Sequence, residues 1–380
     1  MSSQELLAVP MPAGGRMDIY SGVARLSGKL WASCHRPPTG QSKTAVIIVH
    51  PSSNFLGHYA LAPLAERGVT AVGMNTRYLA NDSALIVENC VLDLGAGVKY
   101  LREAGFERII LMGNSGGGGL VSLYQSQAEN PTITSTPAGD PPDLTAADLP
   151  PVDGIICAMA HPGRAIVYTQ WLDPAIKDET RPFERDASLD MFDIRNGPPY
   201  SEEFMTRYRA AQVERNRRIT RWVRAQLETA SSRTGGAVND LPFVVHGTAA
   251  DPRFVDLTLE PSDRPPGTLW GETYSANFIP ATLGHLTSLR SWLSQWSIDD
   301  SNANGPEHLS RVSVPVLVAY GTADNTAFES HARALYEGVG HAERELYPIA
   351  GADHYFTGNP GMVTAFCDKV VAWLDEHDLR

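Results

Sequence analysis

Four short runs of uninterrupted apolar residues govern what this chain can become. Residues 45–50 (AVIIVH) run apolar up to a polar loop, and residues 70–75, 108–113 and 154–159 repeat the pattern. A strand with one face in water alternates apolar and polar residues. A run that does not alternate is buried on both faces, as in a parallel sheet covered by helices. Between the second and third runs, Val87, Val91, Leu94, Val98 and Leu101 step by four, three, four and three, which stacks them on one face of a helix. Asp82 or Ser83 stands where a cap for its start is needed, and Gly105 where its end is needed. Strand, helix, strand at this pitch predicts an α/β fold with a mostly parallel sheet. Residues 16–36 read instead as an antiparallel pair turning at Ser27-Gly28.

The rhythm breaks after residue 128. Six prolines between 128 and 151 predict a surface loop. Residues 160–311 do not resume the alternation and predict an insertion, a mainly helical lid or cap, with a long helix over about 201–231. Phe204, Tyr208, Ala211, Ile219, Val223 and Leu227 line its expected apolar side, with Glu203–Arg207 and Glu214–Arg218 as i,i+4 pairs. Trp171, Trp222, Trp270, Trp292 and Trp296 all fall in this insertion. They suit either an aromatic wall for a pocket or the core of a small subdomain. The strand pattern returns at 314–320 and 344–349, and a helix over 360–376 closes the chain. The expected division is therefore a core of 1–159 with 312–380 and a lid of 160–311.

One segment points to chemistry. Gly113-Asn114-Ser115-Gly116-Gly117 matches G-x-S-x-G directly after an apolar strand and before a helix. A serine on a sharp strand-to-helix turn sits in strained backbone, and glycines two residues either side avoid collision with neighbouring backbone. A serine hydroxyl needs a base, and the base needs an orienting carboxylate. Among eleven histidines, His354 follows the last expected strand. Asp324 follows the one before it. Asp353 is the competing acid, but its side chain, next in sequence to His354, points elsewhere. His331 and His341 read as surface residues, and His50 and His58 as structural or pocket-lining.

The order Ser115, Asp324, His354, with the elbow motif, resembles the α/β-hydrolase-fold serine hydrolases, over residues 16–160 and 312–380. The resemblance implies Ser115 as nucleophile, His354 as general base and Asp324 as orienting acid. It also implies an oxyanion hole from the Gly116 N–H and a second N–H after the strand ending at His50. Pro51 has no N–H, so Ser52, or else Ser53, is expected there. The implied function is hydrolysis of a small or medium, mostly apolar carboxylic ester through an acyl-enzyme. Asn114 before the serine resembles the G-N-S-x-G of carbon–carbon bond hydrolases acting on aromatic ring-cleavage products. That reading stays open, as do acyl transfer and a non-catalytic binding role for the fold.

Substrate contacts are expected from Asn114, His161, Arg164 and Trp270. Arg164 follows a strand end, where open α/β sheets hold ligands. Seven arginines between 207 and 224 suit an anion site or, more simply, a solvated face of salt bridges. No HxH, HExxH, paired-cysteine or dinucleotide pattern occurs, so neither a metal nor a cofactor is expected. The formal net charge of −12 argues against nucleic acid and anionic membranes as partners. Four well-separated cysteines suit free thiols in a reducing compartment, and the first residues lack a secretory pattern, so a cytoplasmic location is expected.

Overall fold

The computed structural model describes residues 3–14, 28–40, 42–280 and 282–380. The chain divides into two compact units, Met1–Gly163 with Asn302–Arg380, and Arg164–Ser301.

The first unit is built on one eight-stranded sheet. Its strands are β1 (Ser3–Pro10), β2 (Lys29–Arg36), β3 (Thr44–Val49), β4 (Thr70–Met74), β5 (Arg108–Ser115), β6 (Gly154–Ala160), β9 (Val316–Gly321) and β10 (Arg344–Ile349). They lie in the order β1-β2-β4-β3-β5-β6-β9-β10. The six strands from β4 to β10 run parallel, and β1 and β2 are antiparallel additions at one edge. The expected fold class is the one observed, an α/β architecture with a mostly parallel sheet flanked by helices.

The continuous apolar runs have a direct cause. Ala45, Ile47 and Val49 of β3 pack into one hydrophobic layer, and Val46 and Ile48 into the other. Ile109 and Leu111 of β5 divide from Ile110 and Met112 in the same way. On the first face lie helices α2 (Val87–Glu103) and α3 (Gly117–Glu129); α1 (Leu61–Glu66) and α7 (Pro360–Glu376) cover the second. A side chain of this size contributes about 1.5–3 kcal/mol when fully buried, so both faces help hold the strand ends in register. Between β9 and β10 runs α6 (Glu329–Gly338).

One local expectation is corrected, and another lies largely outside the described residues. β2 pairs with β1 and β4, and residues 15–27 of the expected pair lie outside the described residues. Helix α2 begins at Val87 behind Ile86 with no side-chain cap. Ser83 instead bonds Asn81 Oδ1 through both N–H and hydroxyl. At its other end, Gly105 has φ +93° just past the helix.

The second unit contains α4 (Arg164–Trp171), the long helix α5 (Glu202–Thr234) and a two-stranded sheet of β7 (Pro242–Val244) and β8 (Leu286–Ser288). Ser201 caps α5 by accepting the Phe204 N–H at 3.1 Å, and Gly235, in left-handed conformation, ends it. The arginines of α5 are drawn mostly into salt bridges. Arg217 meets Asp299 at 2.7 Å, Arg224 meets Asp300 at 2.5 Å and Arg221 meets Glu214 at 2.7 Å. Glu214 therefore pairs with Arg221, not with Arg218, which turns to Ile176 O and Glu179. Trp171, Trp292 and Trp296 are almost fully buried. These three form this unit's own core and, enclosed on all sides, offer no face to a ligand, whereas Trp222 is exposed and Trp270 half-buried.

Among the described residues no helix is long and apolar enough to cross a membrane, and no set of three or more His, Cys, Asp or Glu is placed to hold a metal ion. All four cysteines are buried thiols outside any disulfide. Burial pushes the Cys157 thiol up to about 12.

Candidate active site

The C-terminal ends of parallel strands share one sheet edge, and the candidate residues stand there. Ser115 is the last residue of β5, half-buried, with φ +55°. An L-residue rarely adopts that conformation. Its surroundings show why it is held. A Cβ on Gly113 would lie 2.4 Å from Gly117 O, and one on Gly117 would lie 2.2 Å from Val49 O. Both glycines of the motif are therefore sterically required, because strand and helix approach too closely for any side chain. The Ser115 carbonyl accepts the His161 N–H at 2.8 Å, which pins the turn to the end of β6. Gly116 follows as the N-cap of α3, where helix N–H groups are unsatisfied and the dipole favours negative charge.

Asp324, three residues past β9, and His354, five past β10, are each 2% exposed. Asp324 Oδ2 and His354 Nδ1 lie 2.8 Å apart. Asp324 Oδ1 accepts the N–H groups of Thr326 at 2.7 Å and Ala327 at 2.9 Å. The carboxylate is thus fixed from behind and presents its second oxygen to the imidazole. An ionised carboxylate can only accept, so in the neutral imidazole Nδ1 would carry the proton and Nε2 would keep its lone pair. Asp353 binds its own loop, accepting the N–H groups of Tyr355 and Thr357. Among the described residues no hydrogen bond joins the Ser115 hydroxyl to His354; such contacts are commonly long before substrate binds.

Around this pair the structure gathers further rings, with His161 among them. Tyr355 meets His354 edge-on at 5.0 Å, and Tyr59 meets Phe356 edge-on at 5.0 Å. His161 and His331 are each 3% exposed, and their rings lie 5.9 Å apart; the His161 ring lies 6.2 Å from that of His354. The expectation that His331 is a surface residue is overturned. It is the third residue of α6, and its Nδ1 accepts the Phe328 N–H. Its spacing from Ala332 and Leu335, both buried, is the signal that places it on the inner face.

The expected second oxyanion donors need correction. The N–H groups of Ser52 and Ser53 both point at His50 Nδ1, at 3.1 and 2.8 Å. The chain folds back after Pro51, so these donors meet the imidazole lone pair and are not free for an oxyanion. Asn114 is also committed elsewhere. It is buried and donates to Ala158 O at 2.7 Å and the Tyr59 hydroxyl at 3.4 Å, so its amide is structural. His58, packed between Phe55 and Tyr59, is lowered by burial to about 3.

Arg164 and Trp270 belong to the second unit. The Arg164 guanidinium lies 4.3 Å above the Trp296 ring, and Trp270 packs edge-on against Trp171 at 5.7 Å. Both serve aromatic packing within that unit.

No family model matches this chain, and no curated protein matches it. Solved structures do. An alpha/beta hydrolase from Penicillium sp. sh18 superposes with a TM-score of 0.51 at 12% identity, covering 99% of each chain. The fold is that of the α/β hydrolases. A hypothetical protein from Pseudomonas aeruginosa is similar to the same extent, with a TM-score of 0.51 at 12% identity over 99% of this chain and 94% of its own. A monoacylglycerol lipase from Paleococcus ferrophilus aligns at 16% identity over 92% and 99%, with a TM-score of 0.46.

Proposed function

We propose that this protein is a serine hydrolase that cleaves small or medium, mostly apolar carboxylic esters through an acyl-enzyme on Ser115. One observation carries the reading: the left-handed Ser115, locked by two obligatory glycines, shares a sheet edge with the buried Asp324–His354 pair. In this reading Ser115 Oγ attacks the ester carbonyl while His354 Nε2 takes its proton. Asp324 stabilises the imidazolium without taking that proton. The oxyanion of the tetrahedral intermediate receives the Gly116 N–H at the start of α3. His354 then gives its proton to the departing alcohol, and water, deprotonated by the same nitrogen, releases the acid. The exposed ring of Tyr355, edge-on to the base at 5.0 Å, favours an apolar acyl or alkyl group.

The test is turnover of p-nitrophenyl butyrate by the parent and by Ser115→Ala. The variant should fold normally and lose about 10⁴–10⁶ in kcat. A folded variant with retained turnover would remove Ser115 from the chemistry.

A further inference from the structure

His161, expected as a substrate contact, is only 3% exposed, and the structure ties it to both the nucleophile and the base. It stands just past β6, beyond an irregularity in that strand. Asn114 pairs with Ala158 and Ser115 with Ala160, so β6 carries one residue more than β5 at this point. The extra residue is Met159, buried and with φ +44°. Non-glycine residues are uncommon at positive φ, and such strain clusters at functional sites. Strand side chains alternate between faces, so one inserted residue reverses every face that follows. The bulge therefore decides which way the His161 ring points.

It points into a stack of buried rings. The His161 ring lies 6.2 Å from that of His354 at an interplanar angle of 25°, within the range of offset-stacked aromatic pairs. The His331 ring meets His161 edge-on at 5.9 Å, and His331 is itself fixed, its Nδ1 accepting the Phe328 N–H at 3.3 Å. The His161 backbone is clamped as well. Its N–H donates to Ser115 O at 2.8 Å, and a Cβ on Gly118, in the first turn of α3, would lie 2.7 Å from its carbonyl oxygen. One residue thus bonds to the carbonyl of the nucleophile and stacks on the base.

The base needs such a contact. The 2.8 Å bond to Asp324 Oδ2 fixes His354 Nδ1. A single hydrogen bond leaves the imidazole free to swing about the bond axis, which carries Nε2 past the serine hydroxyl. A second ring packed on its face removes that freedom.

We propose that His161 is a positioning residue for the reaction at Ser115: its ring fixes the plane of the His354 imidazole, and its backbone fixes that ring relative to the nucleophile. The inference rests on the proposed hydrolysis and adds a fourth residue to it.

The test compares His161→Gln, which removes the ring, with His161→Phe, which keeps a ring but no ring nitrogen. Each folded variant is measured for p-nitrophenyl butyrate turnover, for its thermal melt and for the low-field proton resonance of the Nδ1–H between His354 and Asp324. His161→Gln should lower kcat by about 10²-fold, the scale of a misplacement of about 1 Å, leave KM unchanged and broaden the resonance. His161→Phe should restore most of the lost kcat and the sharp resonance, which a need for the ring nitrogens would not allow. His331→Gln, which loosens His161 without replacing it, should move kcat and the resonance the same way by less, and covers the case in which His161→Gln does not fold. Turnover that survives Ser115→Ala would count against the hydrolysis itself. Ser115-dependent turnover with parent kcat and a sharp resonance in His161→Gln, or in His331→Gln where the first does not fold, would overturn this inference alone. Equal losses in His161→Gln and His161→Phe would overturn it too.

Discussion

Asp324→Asn separates orientation of the base from every other property of the site. Asp324 Oδ1 accepts two N–H groups, from Thr326 and Ala327. An asparagine carbonyl can keep both bonds, which turns its NH₂ toward His354 Nδ1, where Oδ2 now lies at 2.8 Å. Two N–H groups cannot face each other, so the imidazole must present Nδ1 as acceptor and carry its proton on Nε2. A protonated Nε2 cannot take the Ser115 proton. The loss expected from the wrong tautomer is about 10⁴ in kcat, equivalent to about 5.4 kcal/mol in the barrier. KM should change little, because the side chain is buried behind the histidine. Fold stability should also change little, since shape and both accepted bonds survive. Asp324→Ala should differ: it leaves two N–H groups without their acceptor, at about 1–3 kcal/mol each. The assay is p-nitrophenyl butyrate hydrolysis with a thermal melt on the same samples. An Asp324→Asn variant within tenfold of the parent kcat would refute the orienting role.

Further outcomes follow from the packing. Gly117→Ala places a Cβ 2.2 Å from Val49 O and should lower stability by about 1–3 kcal/mol and impair turnover; an unchanged melt would mean the turn is not closed as described. Arg77 and Asp93 form a buried bidentate pair, with Nη2 and Oδ1 2.7 Å apart. Arg77→Ala should cost about 3–5 kcal/mol in chemical denaturation by removing the guanidinium from a buried carboxylate, and a cost under 1 kcal/mol would contradict the pairing. His58 titrates near 3 in the fold because burial disfavours its charged form, against about 6.5 unfolded. Its contribution is complete above pH 6.5. Stability is lost as pH falls from 6.5 toward 3, where only the unfolded chain takes up the proton, by at most about 1.4 kcal/mol per pH unit. His58→Gln should flatten that part of the stability profile, and identical slopes would place His58 in water.

What was legible in the sequence was what is written locally. The runs at 45–50 and 108–113 announce strands buried on both faces because alternate residues enter two separate hydrophobic layers. Strand ends then name Asp324 and His354, since a parallel sheet brings those ends to one edge. Pairing between distant segments was not legible. Ser3–Pro10 buries Leu7 and Val9 but leaves Leu6 61% exposed, and nothing local ties it to β2. Side-chain satisfaction was also hidden. His50 absorbs the donors of Ser52 and Ser53 because of how the loop folds back, which residue types alone do not reveal. On α5 the apolar stripe is completed by Gln212, Arg215 and Asn216, all buried. Arg215 belongs inside because it donates to the carbonyls of Asp173, His246 and Gly247, loop partners that only the tertiary structure supplies.

The most direct measurement is the mass of the intact protein after exposure to a fluorophosphonate, with peptide mapping of the adduct. Such a reagent is captured by a serine whose hydroxyl is activated by a neighbouring base. The account predicts one covalent adduct, located on Ser115, absent from Ser115→Ala and strongly slowed in Asp324→Asn. No adduct on folded protein, or an adduct on another residue, would contradict it.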